Sequence, residues 1–166
     1  CEAPYVRCPA NIHALVQHRV QVPSGLGVDV VVAPGVLFDQ PGQIPDVMRG
    51  EEIQIAGALS ENRQLAERCL MVLPGTHSKW VHVQDGRLTR FSTYMTGELF
   101  AVLCQHSILG RLLPDDQGNT REFDSKAFEL GIATAKSGRA GDLTYQIFAT
   151  RTLGLTGRLQ PTGLAD

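Results

Sequence analysis

The chain has 166 residues, of which 43% are hydrophobic and 19% are charged, and its formal net charge at pH 7 is -2. This balance is typical of a globular segment and disfavours intrinsic disorder. Its basic residues are spread among acidic ones, so neither a polyanion-binding role nor a nucleic-acid-binding patch is predicted. One domain of roughly 150 residues fits this length, whereas two complete domains do not.

No apolar run approaches the roughly 20 residues of a membrane-spanning helix, and no signal segment opens the chain. We therefore predict no membrane contact and a cytoplasmic location. The cysteines form no C-x-x-C pair and lie in or near apolar stretches, which favours buried free thiols over disulfides; they are Cys1, Cys8, Cys69 and Cys104. Because the chain opens with Cys1 rather than Met, we expect an internal segment of a longer protein.

The first part of the chain alternates between apolar runs and breakers. Helical spacing of apolar residues predicts a short helix within residues 10–19. The β-branched run at 28–32 predicts a buried strand that ends in the turn Ala33-Pro34-Gly35. Residues 46–52 are predicted to be a loop that leads into a helix, because acidic side chains are favoured at a helix amino terminus. The Pro/Gly-rich stretch 38–45 between them is a candidate lobe boundary.

Three runs with strand character follow at 69–73, 80–83 and 88–94, and Asp85-Gly86 is a strong hairpin signal between the last two. They predict a three-stranded meander. Helical patterns then cover residues 99–109, 125–136 and 142–153, with breakers at 137–141. A meander followed by helices suits an α/β fold.

The turn at residues 74–79 carries groups that suit a phosphate. Gly75 exposes backbone N–H groups, Thr76 and Ser78 add hydroxyl donors, and Lys79 would add positive charge. A hairpin turn without a ligand, with Lys79 on the solvated surface, explains the same composition. The turn alone leaves both interpretations open.

The segment Arg49-Gly50-Glu51-Glu52 is the second candidate for chemistry. A carboxylate at a loop-to-helix junction is able to accept a proton from a substrate hydroxyl, and a neighbouring Arg binds a carboxylate through its two-pronged guanidinium. The structural alternative is a helix start with acidic residues in its first turn.

Residues 46–52, 73–81 and 95–100 resemble three successive signature segments of the 2-dehydro-3-deoxygalactonokinase family, and they stand in the same order. The resemblance extends from Ala3 to Leu113. It implies an α/β fold of the actin, hexokinase and Hsp70-like superfamily, that is, an actin-like ATPase (ribonuclease H-like) fold, here incomplete. On this basis residues 1–45 are the end of an amino-terminal lobe, and residues 46–166 are the first part of a carboxyl-terminal lobe.

The resemblance also implies an activity: ATP-dependent phosphorylation, with Mg²⁺, of the terminal (6-) hydroxyl of 2-dehydro-3-deoxy-D-galactonate. By carry-over from sugar kinases of the superfamily, Glu51 is the general base and Glu52 is the alternative base. The phosphate and ATP contacts are Gly75, Thr76, Ser78 and Lys79, and Arg49 binds the substrate carboxylate. Glu51 stands where many sugar kinases have Asp.

The family's Asp-x-Gly-Thr/Ser phosphate loop and its Gly-rich adenine-binding segment are not present in the sequence. We therefore expect little or no kinase activity from this chain on its own. The rival hypothesis is a non-catalytic module of the same fold that binds a ligand or a partner. Homo-oligomerisation is left open.

A zinc site and a hydrolase are disfavoured. The spacing of Cys69, His77 and His82 fits no usual zinc pattern, and we predict no metal site built by the chain. The neighbours His77 and Ser78 point to opposite faces of a strand, and no G-x-S-x-G turn is present.

Overall fold

A computed structural model describes residues 3–25, 27–114 and 123–166. The chain divides into two compact units, Cys1–Gly97 and Glu98–Asp166. In the first unit the strands are β1 (Tyr5–Arg7), β2 (Val20–Pro23), β3 (Asp29–Val32), β4 (Gly35–Phe38), β5 (Asp46–Met48), β6 (Arg68–Leu73), β7 (Ser78–Gln84) and β8 (Arg87–Tyr94). Its helices are α1 (Ile12–Gln17), α2 (Glu51–Glu61) and α3 (Gln64–Glu67).

The second unit is helical where the structure describes it. Helix α4 (Thr96–His106) begins at the end of the first unit, and α5 (Ser125–Ser137) and α6 (Leu143–Leu155) follow. Short 3₁₀ turns occur at Gly110–Leu112 and Pro161–Gly163. Asp124 caps α5, since its carboxylate accepts hydrogen bonds from the backbone N–H groups of Lys126 and Ala127, as is typical of a helix start.

A three-stranded mixed sheet has the order β1-β4-β5, with β1 parallel and β5 antiparallel to the central strand β4. Gly35 opens β4 at a point with no space for a side chain. A Cβ there would lie 2.7 Å from the carbonyl oxygen of Met48 and 2.5 Å from the ring of Tyr5. Glycine therefore permits the close approach of these strands.

The second sheet is the antiparallel meander β6-β7-β8. Asp85 and Gly86 join β7 to β8 with positive φ angles of 50° and 68°, the left-handed pair that a two-residue hairpin turn of this hand requires. Val81, Val83 and Phe91 face inward and are almost completely buried, as the alternation of a half-buried strand predicts.

The core of the first unit joins both sheets through α2. Val36 and Met48 from the mixed sheet, Val81 and Leu88 from the meander, and Ile55 from α2 belong to one buried cluster. Each such side chain contributes roughly 1.5–3 kcal/mol when it is fully buried. The core thereby fixes the amino terminus of α2 relative to the meander.

The helices and the meander agree with the sequence-based predictions. Helices α1, α2, α4, α5 and α6 lie in the segments where helical patterns were expected, and β6, β7 and β8 form the predicted meander with its Asp85-Gly86 hairpin.

Two local predictions were wrong. The run at 28–32 is a strand but not a buried one: Asp29, Val30 and Val31 of β3 are exposed, because β3 pairs only with β2 in a two-stranded ribbon. Residues 46–48 are strand β5 rather than a loop. Strands β1, β2 and β4, which span three or four residues each, were not predicted, because such short segments carry too little periodicity.

The stretch 38–45 links two strands of one sheet and lies within the first unit. The division of a longer protein into lobes at 45/46 stays a prediction. Of the cysteines, Cys1 lies outside the described residues, while Cys8, Cys69 and Cys104 are not part of a disulfide. Of these three described cysteines, Cys8 is the one that is fully buried, and burial raises its pKa to about 11, so this thiol is protonated at neutral pH.

Candidate active site

Strand β5 passes into helix α2 through Gly50. Its φ of +107° lies in a region that residues with a side chain rarely adopt. No atom lies within 4 Å of the position where a Cβ would be, so it is backbone conformation and not space that favours glycine here. The tight junction places Arg49 and Glu51 on either side of Gly50.

Glu51 opens α2 and is half-buried. Its carboxylate accepts a hydrogen bond of 3.1 Å from the backbone N–H of Arg49, at the helix end where acidic side chains are commonly found. An accessible carboxylate at this position is able to accept a proton.

Glu52 has a different environment. Only 1% of its surface is exposed, and its carboxylate accepts a 2.7 Å hydrogen bond from the backbone N–H of Gly50. Burial raises the pKa of the Glu52 carboxyl, and the negative charge of Glu51 acts in the same direction. Backbone hydrogen bonds and Arg49 oppose this effect. The buried carboxylate of Glu52 therefore stabilises the junction through its hydrogen bond with Gly50, whereas Glu51 is accessible.

Arg49 is exposed but held in place. Its guanidinium lies 4.4 Å from the centre of the Tyr5 ring and donates a 2.7 Å hydrogen bond to the carbonyl of Ala3. A guanidinium has five N–H donors, so this contact leaves further donors to bind a carboxylate. Sequence analysis did not predict a role for Tyr5, because Tyr5 and Arg49 are far apart in the chain and meet only in the folded structure.

The turn between β6 and β7 contains Gly75 and Thr76. The backbone N–H of Gly75 donates to the hydroxyl of Ser78 at 3.4 Å, and its carbonyl accepts from Thr96 Oγ1 at 3.2 Å and from the N–H of Gly97 at 3.2 Å. The side chain of Thr76 is exposed, and it makes no hydrogen bond to any other residue in the described parts of the chain. Protein partners thus bind the backbone amide and carbonyl of Gly75, while the side chain of Thr76 stays accessible.

Ser78 and Lys79 are buried, with 7% and 5% of their surfaces exposed. The Lys79 ammonium donates to the carbonyl of Val47 at 2.7 Å and to the hydroxyl of Thr93 at 2.8 Å. The interpretation of Lys79 as a solvated surface residue is therefore wrong, because its ammonium is enclosed by polar partners from β5 and β8. A phosphate contact for either side chain stays a prediction.

Lys79 also connects the two candidate segments. It stands at the start of β7, just after the Gly75-Thr76 turn, and it binds Val47, two residues before Arg49. Asp46 strengthens this connection, since its carboxylate accepts hydrogen bonds of 2.7 Å from both the N–H and the hydroxyl of Thr93. Sequence reasoning missed Asp46 and Thr93, because only the fold brings them together.

Among residues 3–25, 27–114 and 123–166, no group of three or more His, Cys, Asp or Glu side chains is arranged to hold a metal ion. His82 lies beside Arg90, with 3.2 Å between its Nε2 and an Arg90 guanidinium nitrogen. Partial burial, Arg90 and Arg68 lower the His82 pKa. In the same described ranges, no helix is both long and apolar enough to cross a bilayer.

Comparison with known proteins finds a solved structure that matches nearly the whole chain. A crystal structure from Sinorhizobium meliloti, of a protein assigned as a 2-dehydro-3-deoxygalactonokinase, superposes with a TM-score of 0.85 at 32% identity. The match covers 99% of this chain and 52% of that one. It supports the α/β assignment.

Two curated relatives carry the same name. A protein of Rhizobium meliloti (strain 1021) is 36% identical over 139 residues, which cover 84% of this chain and 44% of the relative. The enzyme of Escherichia coli (strain K12) is 33% identical over 157 residues, which cover 95% of this chain and 48% of the relative. The chain therefore spans about half the length of the curated relatives that it matches.

The family model described as 2-keto-3-deoxy-galactonokinase matches residues 1–166. The chain belongs to the 2-keto-3-deoxy-galactonokinase family. The resemblance seen in the sequence up to Leu113 is thereby confirmed, and it is extended to the whole chain.

Proposed function

We propose that the chain is part of a cytoplasmic, ATP-dependent kinase that phosphorylates the terminal (6-) hydroxyl of 2-dehydro-3-deoxy-D-galactonate. Family membership over all 166 residues is the observation that carries this proposal. The names of the curated relatives supply the substrate. ATP enters as its Mg²⁺ complex, because phosphoryl transfer requires neutralisation of the phosphate charge.

The proposed architecture is the actin-like ATPase fold with two lobes. Residues 1–45 would end the amino-terminal lobe, and residues 46–166 would begin the carboxyl-terminal lobe. The Asp-x-Gly-Thr/Ser phosphate loop and the Gly-rich adenine-binding segment would come from other parts of the protein. The 166-residue chain by itself is therefore expected to release little or no ADP.

In the proposed reaction Glu51 acts as the general base. The substrate oxygen forms a bond to the γ-phosphorus, the bond from that phosphorus to the β,γ-bridging oxygen breaks, and ADP departs with the electron pair. Glu51 takes the hydroxyl proton. Its accessibility, in contrast to the burial of Glu52, supports Glu51 as the base, with Glu52 positioning Gly50.

The Gly75-Thr76 turn would bind the phosphates of ATP. Its support is the accessible Thr76 side chain on a turn whose Gly75 amide and carbonyl are already held by protein partners. We assign Ser78 and Lys79 to the same site mainly as residues that support the turn and connect it to β5. Arg49, held by Tyr5 and Ala3, would bind the carboxylate of the sugar acid.

The test is product analysis with the protein as its gene encodes it, incubated with ATP, Mg²⁺ and 2-dehydro-3-deoxy-D-galactonate. The proposal predicts a phosphomonoester on the terminal carbon, identified by ³¹P NMR with proton correlation. A phosphate at another position would contradict the assigned hydroxyl. Hydrolysis of ATP without a phosphorylated sugar acid would contradict the proposed function.

A further inference from the structure

The start of helix α4 lies directly against the Gly75-Thr76 turn, although the two segments are far apart in sequence. Gly97 donates its backbone N–H to the carbonyl of Gly75 at 3.2 Å, and Thr96 donates its hydroxyl to the same oxygen at 3.2 Å. Both acceptor sites of the Gly75 carbonyl are therefore occupied. This fixes the peptide plane that joins Gly75 to Thr76.

Gly97 has no space for a side chain. A Cβ would lie 2.7 Å from the Gly75 oxygen, 3.0 Å from Thr76 Cα and 3.2 Å from the Gly75 carbonyl carbon. All three are backbone atoms of the turn, so no side-chain rotation relieves the overlap, and the turn or the helix must move. The φ of Gly97 is not in the left-handed region, so space alone accounts for glycine at this position.

Thr96 also contacts the turn through the side chain of Ser78. Its hydroxyl makes a short hydrogen bond with the hydroxyl of Ser78, which in turn accepts the N–H of Gly75. Ser78 is 7% exposed, so the end of the network at Ser78 is shielded from water and its hydrogen bonds are costly to lose, whereas Thr96 lies at the surface. The carbonyl of Gly75 thus depends on Thr96 and Gly97, which no catalytic assignment includes, and its amide is bound by Ser78, which Thr96 contacts.

We infer that Gly97 and Thr96 are positioning residues that set the conformation of the Gly75-Thr76 turn for nucleotide phosphate binding. This inference rests on the proposed function. A turn that binds phosphate must present its donors at hydrogen-bond distance, and a misplacement of about 1 Å costs up to about 100-fold in rate. The added methyl group of Gly97→Ala forces a displacement of several tenths of an ångström in the turn or in α4.

The experiment compares Gly97→Ala with Gly57→Ala in the protein as its gene encodes it. Gly57 lies inside α2, and a Cβ there meets no atom within 4 Å, so it is the matched control. For Gly97→Ala we expect kcat/KM for ATP to fall by about 10- to 100-fold, with the KM for the sugar acid unchanged. Gly57→Ala should retain the unaltered constants.

A second pair of variants covers the case in which Gly97→Ala does not fold. Thr96→Val removes the hydroxyl and keeps the shape, whereas Thr96→Ser keeps the hydroxyl. The inference predicts a raised KM for ATP in Thr96→Val and its rescue in Thr96→Ser. A purely structural role would lower the unfolding temperature without separating the two substrates.

The outcomes distinguish the two claims. If the unaltered protein phosphorylates the sugar acid while Gly97→Ala and Thr96→Val keep its KM for ATP, the inference is wrong and the proposed function stands. If the unaltered protein has no sugar-acid-dependent turnover, the proposed function is wrong, and the inference falls with it.

Discussion

Adjacent carboxylates at the start of α2 occupy contrasting environments. Glu51 is half-buried and accepts a hydrogen bond from the exposed loop, whereas Glu52 is enclosed and accepts the N–H of Gly50. Neighbouring carboxyl groups in different surroundings commonly take different roles in catalysis. We therefore propose proton transfer for the accessible Glu51 and positioning for the buried Glu52.

Replacement of Glu51 by Gln tests this division. We expect kcat to fall by about 10²- to 10⁴-fold, because a neutral amide does not accept the proton, with little change in either KM. Glu61→Gln, an exposed residue at the other end of the same helix, is the charge-matched control. A full loss of turnover in Glu52→Gln, with Glu51→Gln active, would reverse the two roles.

The buried carboxyl of Glu52 also predicts a pH dependence of stability. Its pKa is raised above the usual value of 4.5, so the folded state favours the protonated form. The contribution of the protonated Glu52 carboxyl to the free energy of unfolding is complete below pH 4.5 and is lost as the pH rises through the raised pKa. Glu52→Gln stays neutral, so its stability relative to the unaltered protein should increase over that window and then level off.

Urea unfolding of the two proteins at a series of pH values measures this difference. Glu61→Gln should show no comparable change across the same range. A stability difference between Glu52→Gln and the unaltered protein that stays constant from pH 4 upward would contradict the proposed burial of an ionisable group.

At the level of residues, the sequence suggests candidates for the chemistry but does not predict their contacts. The motif resemblance selected Glu51, Gly75 and Thr76, and residue type alone suggested that Lys79 was either a ligand or a surface group. Its actual partners, Val47 and Thr93, belong to strands that meet β7 only after folding. The contact of Gly97 with Gly75 depends on the same long-range packing.

Strands β5 and β7 are connected through the Lys79 side chain. Lys79→Met would remove the buried ammonium that donates to the carbonyl of Val47 and to the hydroxyl of Thr93, and a hydrogen bond to a charged group is worth roughly 1.5–3 kcal/mol. We expect a lower free energy of unfolding by about that amount, measured by denaturant titration. Lys126→Met, at an exposed position in α5, should leave stability nearly unchanged.

A Lys79→Met protein with unaltered stability and a strongly raised KM for ATP would contradict this supporting role. It would favour a direct phosphate contact instead. Stability and the KM for ATP therefore distinguish a phosphate contact of Lys79 from a role in supporting the turn and β5.

Elements differ in how far the sequence predicts them. Helices α2 and α5 have apolar periodicity over at least three turns, and the meander is marked by Asp85-Gly86. Strands β1, β4 and β5 owe their existence to pairings such as Val6 with Val36 and Val36 with Met48. No local pattern encodes such pairings, since each strand has too few residues to show alternation.

The outward face of the meander carries apolar side chains beside polar ones such as His82 and Arg90. Leu70, Val72, Trp80 and Tyr94 are each 43–54% exposed, and the rings of Trp80 and Tyr94 pack edge to face at 6.2 Å. Exposed apolar groups of this kind promote association. We expect the isolated 166-residue chain to self-associate, with a mass above 18.0 kDa by size-exclusion chromatography with light scattering.

A charged substitution on this face tests whether the face mediates self-association. Val72→Lys should shift the isolated chain toward the monomer, because association would then bury an ammonium. Gln84→Lys, which adds the same charge at the exposed end of β7, should not. A stable monomer of the unaltered chain at all concentrations would contradict the predicted association.

For the protein as a whole, the most direct test of the account is a coupled ADP-release assay with the gene-encoded protein, ATP, Mg²⁺ and 2-dehydro-3-deoxy-D-galactonate. We predict ADP release that requires the sugar acid, that falls by about 10²- to 10⁴-fold in Glu51→Gln and that is unchanged in Glu61→Gln. ADP release that does not depend on the sugar acid, or that is as fast in Glu51→Gln as in the unaltered protein, would contradict the proposed function and base.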